Sequence, residues 1–296
     1  MKQNKILWAL VAMVLPLGFT SCGDDDEDKV DSTPYEYIEP ANKANAARFS
    51  FSVESPVQSV AFGEGNSAVI QVVNEAGETE YIVGSYNKQG DTYTVNTAEG
   101  KYTFAISTEP GTQRMLAVIS TPTQSEPVTV SATQTTATVG GDMDICRTWY
   151  PFRTAINMQK RGTKGVVTDE LEGIDFEALK NRAEKEGCHI KEDLTGWKVR
   201  DLFFQGTGEF GVNFINNESY FATWKWVNAN GDIDFDWKDK ESVKNEFVNS
   251  GKAHAEVYKT GIYKGECWLS LESEVEQDNG DVWDVKVIFR LVDKKL

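Results

Sequence analysis

From Ala46 onward the chain is written largely in period two. Phe49, Phe51 and Val53 alternate with Ser50 and Ser52, and the same beat returns at Tyr81 and Val83, Tyr93 and Val95, and Tyr102, Phe104 and Ile106. Successive side chains of a strand point to opposite faces, so this alternation specifies half-buried strands and excludes an amphipathic helix. Ser55-Pro56, Gln89-Gly90 and Glu99-Gly100 break the pattern at short intervals, and Ala68 to Val73 and Met115 to Ile119 read as buried runs. Short alternating segments with regular turn signals predict a small antiparallel β sandwich or barrel over residues 46–140, and the sandwich is the reading adopted. Its end is open to two readings. Residues 120–140 are rich in Thr, Ser, Gln and Pro and run into Gly140-Gly141, which suits a linker. Val128-Thr129-Val130 and Thr136 to Val139 equally suit last strands, because Thr favours the extended state.

A second domain is expected over residues 141–296. Trp149, Phe152, Ile156 and Met158 open it as one strand or two. Asp175 to Glu186 reads as a helix: Asp175 can cap it, Phe176, Leu179 and Ala183 share a face, and Gly187 ends it. Strands follow at Trp197 to Phe204, Phe210 to Phe214, Tyr220 to Val227 and Ile233 to Trp237, with Asn230-Gly231 as the clearest hairpin turn. A short helix is expected over Lys240 to Asn249. Two long strands, Cys267 to Val275 and Val282 to Val292, close the chain. The fold class is therefore mainly β, a small sandwich followed by a larger barrel with one or two short helices.

The first 21 residues belong to neither domain. Lys2 and Lys5 precede an apolar run from Ile6 to Phe19, too short to span a bilayer, and Thr20-Ser21-Cys22 makes a small-residue exit. This is a signal peptide, and Phe19-Thr20-Ser21-Cys22 resembles a lipobox. The resemblance implies cleavage between Ser21 and Cys22 and acylation of Cys22 with palmitate-type chains, which together hold a protein on a membrane where one chain would not. The acidic run Gly23 to Asp28 resembles the surface-export tract of Bacteroidota lipoproteins, which implies the cell-surface side of the outer membrane. A periplasm-facing anchor is the alternative. Residues 22–45 read as a flexible acidic tether.

The formal charge of −16 becomes −18 once Lys2 and Lys5 leave with the signal peptide. Such a chain repels phosphate backbones, so nucleic acid is excluded as a partner. Cys146, Cys188 and Cys267 remain after lipidation, an odd set with three possible intramolecular pairings.

Several motifs have a plainer reading than a functional one. Gly206-Thr207-Gly208-Glu209-Phe210-Gly211 spells a dinucleotide fingerprint, but a strand-like segment follows where a helix is required, so it reads as a hairpin loop. Asp232, Asp234 and Asp236 begin like a calcium loop, but Trp237 stands where the turn glycine belongs. Glu272, Glu274 and Glu276 read as a solvated strand face. His189 and His254 are the only histidines, and no HExxH or GxSxG pattern accompanies them. No catalytic residue, metal ligand or cofactor is expected. The remaining candidates are aromatic: Trp197, Tyr220, Trp224, Trp226 and Trp237, read first as core and second as a ligand-lined interior or a sugar platform.

Residues 143–296, with Thr148-Trp149 on a first strand, successive hairpins and Val-Ile-Phe-Arg-Leu at 287–291 on the last, resemble the lipocalin-like domains of Bacteroidota lipoproteins. The resemblance implies an eight-stranded barrel whose floor is closed by Trp149 with Arg290 packed across it. Arg147 departs from the family's G-x-W pattern. The expected function is non-catalytic: the barrel of a lipid-anchored protein holding a small apolar or amphipathic ligand, or a glycan. A structural, adhesion or surface-assembly subunit is the first alternative. The second is an accessory glycan-binding lipoprotein of a polysaccharide uptake system.

Overall fold

The computed structural model describes residues 47–74, 76–135, 143–191, 193–238 and 252–293. The signal peptide, Cys22, the tether, the Gly140-Gly141 boundary and the helix expected over Lys240 to Asn249 lie outside the described residues.

The first eight strands are β1 (Ala47–Phe51), β2 (Val57–Phe62), β3 (Ser67–Val73), β4 (Thr79–Gln89), β5 (Thr92–Thr97), β6 (Lys101–Thr108), β7 (Met115–Ser120) and β8 (Val128–Thr135). All neighbours are antiparallel, and β8 pairs back onto β1 from Arg48↔Thr135 to Phe51↔Ala132. The ring is closed, so this domain is a barrel and not the expected sandwich. Two features make the difference. The Thr-rich segment supplies β8, the closing strand, so of its two readings the strand over Val128-Thr129-Val130 holds and the linker does not. The eleven-residue β4 pairs with β3 along one half and with β5 along the other, changing partner near Gly84. A Cβ at Gly84 would lie 2.5 Å from the Asn96 carbonyl oxygen, so glycine lets the sheet turn this corner. Side chains fill the interior. Phe62 stacks on Tyr93 at 4.0 Å, with Phe49, Tyr86 and Phe104 around them.

The second ring uses β9 (Thr148–Lys160), β11 (Val199–Phe204), β12 (Glu209–Phe214), β13 (Ser219–Trp226), β14 (Asp232–Trp237), β15 (Lys252–Val257), β16 (Glu266–Glu276) and β17 (Val282–Val292). It closes through β17 on β9, Trp283↔Lys160 to Val292↔Tyr150. The strand β10 (Val167–Glu172) lies outside the ring, paired to the middle of β9. β9 meets β11 only at Trp149↔Leu202 and Thr148↔Phe203. The helix α1 (Phe176–Lys185) follows β10 and precedes β11, and its first turn is tied to the residues that lead into β11, where the Phe176 N–H donates to Trp197 O. Its start is fixed by the Asp175 carboxylate, which accepts from the Ala178 N–H at 2.9 Å, and its stop by Gly187 at φ +88°. Phe176, Leu179 and Ala183 turn one face of α1 into the barrel core. A long β16–β17 hairpin completes the wall.

Candidate functional site

A cavity lies toward one end of the second barrel, here called its mouth, the end where β11 and β13 begin and β12 and β14 finish. Each strand delivers an apolar side chain there by simple alternation. β14 turns Ile233, Phe235 and Trp237 inward and Asp232, Asp234 and Asp236 outward. β13 begins with Tyr220, whose ring lies 5.1 Å from Trp197 and 5.3 Å from Phe214. Trp197 is placed by the turn before β11, where its N–H bonds to Leu194 O and its carbonyl accepts from the Phe176 N–H. On the opposite side Phe210 packs on Phe235 at 4.6 Å and on Trp237 at 5.8 Å. These rings surround a cavity of about 50 Å³ whose fourteen lining residues are all apolar or aromatic. Trp197, Val212, Tyr220, Phe235, Trp237 and Leu271 are half-buried, and they form its rim.

The cavity does not continue down the barrel. Phe204 lies beneath it, 4.6 Å from Phe210 and 5.1 Å from Trp224. The Trp224 N–H donates to Gln205 O at 3.0 Å, so this indole is a satisfied core residue. At the closed end Trp149 is fully buried and donates to Ile145 O at 2.8 Å. The guanidinium over Trp149 belongs to Arg147, at 5.2 Å. Arg290 does not fill the role expected of it. It projects from the outer face of β17, over Phe152, Tyr263 and Trp268, and forks onto the buried Glu266 at 2.8 and 2.9 Å. On β17 the inward residues are Val287, Phe289 and Leu291, so position 290 must point outward, whereas Arg147 directly precedes the strand that carries Trp149.

The structure therefore brings Trp197, Tyr220 and Trp237 to one place and leaves Trp224 and Trp226 elsewhere. Trp226 is paired with Ile233 and packs edge-on against Trp224. It stands six residues along β13 from Tyr220, roughly 20 Å at strand spacing, so Trp197, Trp226 and Trp237 do not make one sugar platform. Sequence reasoning missed Phe176, Phe235 and Leu271 as mouth residues. Their inward phase on helix or strand was the available signal.

The polar motifs are accounted for by local pairing. Asp232 meets His254 at 3.0 Å, Asp234 meets Lys225 at 3.1 Å, and Asp236 pairs with Lys238. Glu272 bonds to Lys286 and Glu274 to Arg161. His189 uses its backbone, exchanging two hydrogen bonds with the Gln277 side chain. Cys146, Cys188 and Cys267 are all buried. Among the described residues no group of three or more His, Cys, Asp or Glu side chains could hold a metal ion.

The glycine-rich stretch has a different use. It forms the β11–β12 turn and docks the second barrel on the first. Both barrels fall within one compact unit, Tyr35–Leu296. The Gly206 N–H donates to Glu64 Oε2 at 3.1 Å, Gln205 Nε2 donates to Ser67 Oγ at 2.9 Å, and Arg48 meets Glu209 at 3.3 Å. Beside this polar set, Tyr81 stacks on Phe221 at 4.4 Å, with Val69, Val83 and Phe203 around them. Phe203 lies flat on its cross-strand partner Gly211, where a Cβ would sit 2.4 Å from the ring. Burial raises the Glu209 pKa, opposed by the neighbouring Thr207 hydroxyl and the Arg48 guanidinium.

Neither a family model nor a curated protein matches the sequence.

Proposed function

We propose that this chain is a lipid-anchored, non-catalytic binding protein of the outer membrane, displayed at the cell surface, whose second barrel takes the apolar end of a small amphipathic ligand at its mouth. One observation carries the reading. Half-buried Trp197, Tyr220, Phe235 and Trp237 ring a wholly apolar cavity at the end of the barrel opposite buried Trp149. Water gains no hydrogen bonds from such a lining, so an apolar group is its natural occupant. The lipocalin-like reading is retained for residues 143–296, with Arg147 in the floor position. Anchoring rests on Cys22 and its acidic tether.

A structural role is the second reading, supported by the built junction between the barrels, which would make the two a stiff presenting arm. Titration with n-butyl β-D-glucoside, followed by tryptophan fluorescence, tests the binding reading. Wild type binds it, Trp237→Ala binds it at least about tenfold more weakly, and Trp226→Ala binds it like wild type. Absence of binding, or equal loss in both variants, overturns the mouth as the site.

A further inference from the structure

Resting on that reading, we infer that the mouth recognises an amphipath without an anionic head by a short terminal apolar group of about three to five carbons, and that a long chain cannot thread along the barrel axis. Size sets the limit. A water-sized group needs about 10–15 Å³ of such space, so a 50 Å³ cavity accepts a few methyl or methylene groups and no more. The floor sets it as well. Phe204, wedged between Phe210 and Trp224, occupies the path a longer tail would follow. The inserted end must be hydrocarbon, because a polar end would give up its hydration to a lining that returns no hydrogen bond. The remainder of the ligand stays outside, against the half-exposed faces of Trp197, Tyr220 and Trp237. The head carries no negative charge. The lining contributes no cation to pair with an anionic head, and the chain's net negative charge repels one.

Titration of the full chain with n-alkyl β-D-glucosides from methyl to octyl, below micelle-forming concentrations, reads this directly. Affinity is expected to rise about fourfold per added methylene up to about four carbons, the step that about 0.8 kcal/mol per buried methylene produces, and less than about twofold per methylene beyond. Alkyl carboxylates of equal length are expected to bind more weakly, with a gap that narrows as salt is added. Trp237→Ala flattens the chain-length dependence. An unbroken rise to octyl overturns the short-tail limit, and carboxylates binding as tightly as glucosides overturn the exclusion of an anionic head. Neither result touches the mouth as a binding site. Equal affinity for methyl and butyl glucoside overturns the inference in favour of sugar recognition, and failure of every glucoside and carboxylate to bind overturns the proposed function itself.

Discussion

Gly63→Ala tests whether the two barrels are fitted to one another or merely adjacent. Gly63 has φ −114° and ψ 175°, a conformation any residue adopts. Adding a methyl group there carries no backbone strain, and on chain entropy alone it should stabilise by about 0.4–1 kcal/mol. The obstacle lies across the junction, where the new Cβ would stand 2.3 Å from Gln205 Cγ and 2.6 Å from its Cδ. Gln205 cannot swing aside cheaply, because it is fully buried and its amide donates to Ser67 Oγ at 2.9 Å. Overpacking at a fitted site costs about 1–3 kcal/mol, so the net expectation is a loss of about 1–2 kcal/mol. At this chain length that corresponds to a drop in melting temperature of about 2–8 °C in differential scanning calorimetry. Gln205→Ala removes the obstructing atoms, so Gly63→Ala should cost nothing in that background, and the double-mutant cycle should return a coupling of at least about 1 kcal/mol. A neutral or stabilising Gly63→Ala in the otherwise wild-type chain would refute the fitted junction.

Glu209 makes the same junction sensitive to pH. Its raised pKa means that the carboxylate is a cost, absent below the ordinary value near 4.5, growing as pH rises from there toward the raised one, and constant above it. Urea denaturation should therefore show Glu209→Gln gaining on wild type between pH 4.5 and neutrality, and parallel profiles would contradict the burial argument. At the barrel floor, Arg147→Ala removes the group 3.3 Å from the buried Asp293 and 5.2 Å above Trp149. It should cost about 3–5 kcal/mol and shift the indole N–H proton resonance of Trp149. Arg290→Ala should leave that tryptophan signal unchanged; the reverse pattern would restore Arg290 to the floor. Cys22→Ala should abolish incorporation of labelled palmitate and release the protein from the membrane fraction, and retained label would disprove acylation at Cys22.

Much of the wall of both barrels was legible because inward and outward residues alternate, and the local devices were legible because each has its own chemistry: Asp175 as a cap, Gly187 as a stop, Asn230-Gly231 as a turn. Closure was not legible. A sandwich and a barrel of this size share the same alternation, and only the pairing of β8 with β1 separates them, a long-range register that composition does not encode. Two strands escaped notice for lack of apolar contrast. β10, Val-Thr-Asp-Glu-Leu-Glu, has only two apolar residues, and β15 turns in only Ala253, Ala255 and Val257. The junction left a trace that could have been followed. Phe203 and Phe221 are apolar on the face opposite the barrel core, and an outward Phe beside a glycine-rich turn signals a surface that something covers. The floor arginine was misplaced because a family pattern was carried across to β17, although residue 290 sits out of phase with its inward neighbours. The mouth was legible in part. Trp197, Tyr220 and Trp237 share it, but distance along β13 removes Trp224 and Trp226, and strand length cannot be weighed without knowing where the mouth lies.

The most direct test is where a bound tail ends up. Nuclear Overhauser contacts from the terminal methyl of n-butyl glucoside should reach the rings of Trp237, Phe235 and Phe289, which line the mouth cavity. Contacts to Trp226, to the first barrel, or to no aromatic ring at all would contradict a binding site at the mouth of the second barrel.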